Sequence, residues 1–190
     1  MDTSEYVESD VRRPAIQFIP VGVVRNQSRD ASWGEKLGAL TWEARAARMK
    51  EQLETVSEIV IDCDVAGALD GIEDFSHLVI VYWPHLFPED RRRPLRVHPM
   101  GNPDFPLVGV FATHSPVRPN PILITVVRLV ARRGNVLSVT GLDALDESPV
   151  LDIKPYLPGQ EVGDAYVPDW MKTLHREFSE REERHGMDRS

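Results

Sequence analysis

A chain of 190 residues, 42% hydrophobic and 27% charged, suits one domain with at most an appendage. It holds no run of about eighteen apolar residues, which excludes a membrane-spanning helix, and its single cysteine, Cys63, excludes an internal disulfide and a thiolate metal site. The formal net charge is −8, from 22 Lys and Arg against 30 Asp and Glu, a poor balance for neutralising phosphates. The acidic start, M-D-T-S-E-Y-V-E-S-D, lacks the pattern of a secretory signal, so the expected location is the cytoplasm.

Taken in order, residues 1–15 read as a polar, disordered leader. Residues 16–160 read as the main domain, and residues 161–190 as a C-terminal helical extension. Ile16 to Val24 is β-branched and apolar, a first strand in which Pro20 marks an edge or a bulge. The polar stretch Arg25 to Gly38 carries Trp33, either a lid over a ligand or a plug at the core edge. Leu40 to Ser57 is rich in helix formers behind a capping Thr41, and its apolar residues fall on one helical face. Glu58 to Val65 and His77 to Trp83 read as strands. Between them, Leu69-Asp70-Gly71-Ile72 reads as a turn or short helix.

A basic run follows, with Arg91, Arg92, Arg93, Arg96 and His98, and Arg118 lies further on. Pro94, Pro99, Pro103 and Pro106 exclude any long helix there. Leu107 to Ala112 is apolar and predicts a strand. Thr113-His114-Ser115 then leads into Pro116, Pro119 and Pro121, with Arg118 and Asn120 between them. The prolines predict a stiff, extended loop that cannot pair with itself, either a binding loop or a connection that blocks edge pairing. Strands at Ile122 to Arg132 and Val136 to Leu142 flank Gly134-Asn135 as a hairpin. Asp143 to Asp152 is a polar loop, Val150 to Tyr156 a short strand, and Trp170 to Arg184 a surface helix. Five or six strands joined mostly by turns predict a mainly β fold, an antiparallel sheet or barrel.

The histidines lack the spacing of a zinc site, so no metal is expected, and no G-x-S-x-G marks a serine hydrolase. Asn120-Pro121 reads two ways. An amide oxygen and a proline-held carbonyl could accept both hydrogens of an exocyclic amine, or the pair is simply a turn.

The stretch G-V-F-A-T-H-S-P-V-R-P-N-P-I, with D-F-S-H-L before it and L-D-A-L-D-E-S-P-V-L-D-I-K-P-Y after it, resembles the TrmO (YaeB, TsaA-like) family. The resemblance covers roughly Phe18 to Leu157. It implies a small antiparallel β-barrel, here with a helical insertion near the N-terminus and a C-terminal helix. It also implies an S-adenosylmethionine-dependent methyltransferase acting on N6 of the modified adenosine 37 of tRNA, working as a homodimer with cofactor sites near the subunit interface.

Carried over residue by residue, the cofactor would lie among Trp33, His85, Leu86, Phe111, Thr113, His114, Ser115, Ile124, Asp146, Glu147, Ser148 and Pro149. Asn120, Asp146 and Asp152 are the candidate catalytic groups, and Arg91, Arg92, Arg93, Arg96 and Arg118 the candidate tRNA contacts. Three departures stand out. His114 replaces the family's usual Arg, Leu123 its Gly, and Asp146-Glu147-Ser148-Pro149 its D-G-T-P; a counterpart of the C-terminal domain of longer bacterial members is not expected. Low basicity, the changed His114 and the C-terminal domain not expected here motivate one alternative, the same cofactor machinery turned on a small molecule; a non-catalytic cofactor-binding module is the other.

Overall fold

Six segments keep the period-two alternation of a half-buried strand and close on one another into a barrel. They are β1 (Gly22–Arg25), β2 (Ser57–Ile61), β3 (His77–Tyr82), β6 (Leu123–Arg133), β7 (Val136–Thr140) and β8 (Pro149–Pro155). The order around the barrel is β1-β2-β7-β6-β3-β8, with every pair antiparallel. Between β3 and β6, β4 (Arg96–Val97) and β5 (Val108–Gly109) make a separate two-stranded ribbon. The mainly β, antiparallel barrel expected from the sequence is the fold observed. The structure, a computed structural model, describes residues 14–28, 51, 53–160, 162–174 and 176. Trp33, the leader through residue 13, nearly all of the predicted 40–57 helix and the end of the C-terminal helix lie outside the described residues.

Inward side chains fill the barrel. Ile59, Leu78, Ile80, Val127, Leu137 and Val150 are fully buried, and each such side chain contributes about 1.5–3 kcal/mol. A barrel this small has room in its interior for side chains and little else. Any sizeable ligand must therefore meet the protein at a barrel end or on the outer wall. Closure needs bent strands, and the register slips once between β3 and β8 at Val81/Tyr82 and once between β6 and β7 at Leu129/Ala131. It also needs one close approach. A Cβ on Gly22 would lie 2.4 Å from the Val60 carbonyl oxygen on β2, so only glycine fits there.

Several predicted elements are shorter or differently wound. The first strand begins at Gly22 instead of Ile16, because Pro20 has no N–H to give a ladder. The strand predicted to Val65 ends at Ile61. The Val65 N–H turns back to the Asp62 carbonyl, and Cys63–Leu69 winds as a 3-10 helix. Ser57, expected to end the helix, instead opens β2, where its buried hydroxyl takes a hydrogen bond from Asn26. The strand expected over Leu107 to Ala112 keeps only Val108–Gly109. The next three residues form a 3-10 turn closed by Thr113, whose N–H and hydroxyl both donate to the Val110 carbonyl.

The Gly134-Asn135 hairpin forms between β6 and β7, with Gly134 at φ 61°. Short 3-10 turns at Glu89–Arg92 and Pro99–Gly101 occupy the proline-rich segment. Residues 169–174 and 176 are helical, at the start of the predicted surface helix.

Candidate functional site

Antiparallel register brings six strand ends together. The C-terminal ends of β1, β3 and β7 meet the N-terminal ends of β2, β6 and β8, and the candidate residues gather at this end. The β7–β8 loop is laced onto β1 there. The Asp146 carboxylate accepts the Asn26 backbone N–H at 2.9 Å, and the Asp146 N–H donates to the Ser28 carbonyl at 2.9 Å. The Asn26 amide donates in turn to the Ser57 hydroxyl and to the Ala144 carbonyl, at 3.1 and 3.0 Å. Asp146 is only 5% exposed, and this lacing satisfies a carboxylate that would otherwise be costly to bury.

Glu147 follows at φ 66°, in the left-handed region that favours glycine. The resembled family's glycine at this position has a backbone reason, and a glutamate here costs roughly 1–2 kcal/mol. Its carboxylate reaches across to Arg25, and both side chains are exposed. Leu123, where the family carries glycine, is half-buried and packs against the barrel core.

His85 comes to the same place from the end of β3. The Trp83 N–H donates to the Pro149 carbonyl at 3.0 Å, which sets His85 Nδ1 3.5 Å from the Ser148 hydroxyl. Burial lowers the His85 pKa below its ordinary 6.5, and the nearby Asp146 charge opposes that shift. The imidazole is therefore mainly neutral at pH 7. Leu86, beside it, is exposed.

The proline loop is wound, not extended. Prolines remove donors, and the hydroxyls satisfy the N–H groups that remain: Ser115 N–H donates to Thr113 Oγ1 and Val117 N–H to Ser115 Oγ, each at 3.2 Å. The Arg118 N–H turns back to the Pro116 carbonyl and the Ile122 N–H to the Asn120 carbonyl, each at 2.8 Å. Pro121 is fully buried and anchors the loop to the barrel. Phe111, at 80% exposure, stands on the outside of the turn, and His114 and Asn120 are exposed as well.

The structure spreads the remaining candidates. Ile124 faces outward on β6. Asp152 lies on the outer wall, opposite Val81, where it pairs with Lys154 and accepts the Ile153 N–H. Arg118 turns into its own loop and donates to the Thr113 carbonyl at 2.9 Å. Arg92 lies 5.1 Å over the Trp83 ring and donates to the Phe87 carbonyl at 2.8 Å. Arg93 is exposed, and Arg96 is exposed with one bond to the Leu107 carbonyl; the Arg91 side chain lies outside the described residues.

Sequence reasoning passed over Asn26, whose only signal is a polar residue directly after a strand. It also passed over Tyr82, Thr125 and Asp143, which form a hydroxyl–carboxylate cluster at the same end. Among the described residues no group of three or more His, Cys, Asp and Glu could hold a metal, and no helix is long and apolar enough to cross a membrane.

Fold and site together define a small antiparallel barrel with Asn26, His85, Asp146 and Ser148 collected at one end. A family model of the tRNA-methyltransferase O N-terminal domain matches residues 44–161, and the chain belongs to that family. It is 42% identical to a probable S-adenosyl-L-methionine-binding protein of Methanothermobacter thermautotrophicus, over 74% of this chain and 90% of the relative. It is 37% identical to an S-adenosyl-L-methionine-binding protein of Archaeoglobus fulgidus, over 73% of this chain and 88% of the relative. Among solved structures, it is similar to TrmO from Pseudomonas aeruginosa, at 27% identity and a TM-score of 0.59. That match covers 80% of this chain but 61% of the solved one, so the chain spans about three fifths of that protein's length.

Proposed function

We propose that the chain is a tRNA methyltransferase that modifies N6 of the modified adenosine 37, working as a homodimer. It is an S-adenosylmethionine-dependent methyltransferase by family, and the barrel end is the site we assign to the cofactor. The observation that carries this assignment is the meeting of His85, Asp146 and Ser148 at the barrel end. Such a set suits a cationic adenosine derivative. The carboxylate lends negative potential, and the imidazole is neutral and does not repel a cation. Bound there, the cofactor supplies a methyl group on a positively charged sulfur with a good leaving group.

The chain's own residues then act mainly by alignment, which can contribute about 7–11 kcal/mol to such a transfer. Pro121 and the hydroxyl-closed turns hold the loop carbonyls in place. Ser148 and His85 present a hydroxyl and a ring nitrogen as hydrogen-bonding partners. Incubation with labelled cofactor and either total tRNA or a small-molecule extract tests the acceptor. Label in tRNA is expected; label only in the extract overturns the tRNA assignment, and label in neither leaves a binding module.

The small-molecule acceptor is the second reading. What favours it is the inward commitment of Arg92 and Arg118 on a chain of net charge −8, which removes two cations from any phosphate-facing surface. Arg93 and Arg96 remain exposed, so reversing both to Glu is the direct test. On the tRNA reading, tRNA affinity falls and the log–log salt dependence flattens by about one unit per lost phosphate contact, with cofactor affinity unchanged. Unaltered tRNA methylation in that variant puts the small-molecule reading first.

Support for a dimer comes from the outer wall of β6, where Ile124, Val126 and Val130 are 55%, 48% and 53% exposed. Three exposed apolar residues on one strand face, with the exposed Arg128 among them, favour burial by a partner. Sedimentation at micromolar concentration is expected to give twice the 21.5 kDa chain mass. A monomer with full cofactor affinity overturns the dimer.

A further inference from the structure

We infer that Asp143 is the carboxylate that receives the proton from the methylated nitrogen, and that Tyr82 and Thr125 position it. The inference rests on the methyl-transfer reading above and goes beyond it by assigning the proton. The other acidic candidates are committed elsewhere. Asp152 has one oxygen on the Ile153 N–H and the other on Lys154, on the outer wall. Asp146 is buried, with Oδ1 on the Asn26 N–H.

Asp143 differs from both. It is exposed, and a single oxygen, Oδ1, takes both hydroxyls: Tyr82 donates at 2.7 Å and Thr125 donates to the same atom. Among the described residues no donor is directed at Oδ2. The two hydroxyls come from strands that build the site. Tyr82 ends β3 three residues before His85, and Thr125 is near the start of β6, just after the proline loop. Tyr82 is 3% exposed, so its hydroxyl reaches Asp143 from inside the barrel wall and restrains the carboxylate from beneath. One oxygen is fixed and the other is open to a ligand, which is the arrangement an oriented base needs.

The step balances. The nitrogen–methyl bond forms as the methyl–sulfur bond breaks, and the electron pair of the broken bond neutralises the sulfur. The proton of the methylated nitrogen passes to Asp143 Oδ2. A cation, a neutral amine and a carboxylate become a thioether, a methylated amine and a carboxylic acid, all neutral.

Asp143→Asn keeps an oxygen for Tyr82 and Thr125 while removing the base. The expected result is a kcat lower by about hundredfold or more, within the range of general-base contributions. KM for the acceptor, cofactor affinity by calorimetry and Tm should stay near wild type. Tyr82→Phe keeps the base and removes one restraint, and kcat should fall about tenfold at unchanged KM, the low end of an orientation effect.

A readout independent of activity is the alkaline absorbance titration of Tyr82. Burial, and after it the Asp143 charge, push the Tyr82 hydroxyl far above its ordinary value. Asp143→Asn removes the smaller of these causes and should bring that ionisation to lower pH. Wild-type kcat in Asp143→Asn, or a loss of Tm and cofactor affinity in step with activity in both variants, overturns the assignment in favour of a structural cap. If the wild-type chain labels no acceptor at all, the methyl-transfer reading falls and takes this inference with it. An active wild type beside an equally active Asp143→Asn removes this inference alone.

Discussion

Asp146→Ala is expected to lose both cofactor affinity and stability, because one carboxylate holds the loop and sets the charge of the site. Its removal strands the Asn26 N–H in a nearly buried setting, and a hydrogen bond to a charged group contributes about 1.5–3 kcal/mol. For a chain of this size that corresponds to a fall in Tm of roughly 3–12 °C. Asp146→Asn keeps an oxygen for Asn26 and should recover most of the stability without the charge. The charge has its own signature. It opposes the effect of burial on His85, so in either variant His85 should titrate at still lower pH than in the wild type, visible in its ring-proton shifts by NMR. Calorimetry and melting together decide the point: unchanged Tm and unchanged cofactor affinity in Asp146→Ala would remove this loop from the site.

Gly22→Ala is expected to damage the barrel itself. The new Cβ would meet backbone on β2, 2.4 Å from the Val60 carbonyl oxygen and 2.9 Å from the Ile61 Cα, and backbone cannot step aside by changing rotamer. Overpacking of this kind costs about 1–3 kcal/mol and sometimes more, and here the upper end applies because the strand pair must separate. A fall in Tm of roughly 6–12 °C follows from a loss of about 3 kcal/mol. Gly67→Ala is the control. No atom lies within 4 Å of a Cβ there, so its Tm should hardly move. Equal melting of the two variants would falsify the close approach of β1 and β2.

Much of the fold is legible in the chain, because side-chain alternation and turn chemistry are local. His77 to Tyr82 and Val136 to Thr140 declare themselves by period, and Gly134-Asn135 declares the hairpin between β6 and β7. The motifs around Thr113 to Pro121 and Asp146 to Pro149 carry the resemblance to the family whose model matches residues 44–161.

Tertiary structure decided which of the marked groups can act, since burial and partners depend on segments far apart in sequence. Arg118 and Arg92 read as free cations in the chain, yet each turns onto nearby carbonyls, because their loops need donors that proline cannot supply. Asp146 and Asp152 read alike until register sends one under β1 and the other to the outer wall. Asp143 carried no signal of its own. Its role emerges only where barrel closure brings Tyr82 and Thr125 to one of its oxygens, a juxtaposition that no local pattern encodes.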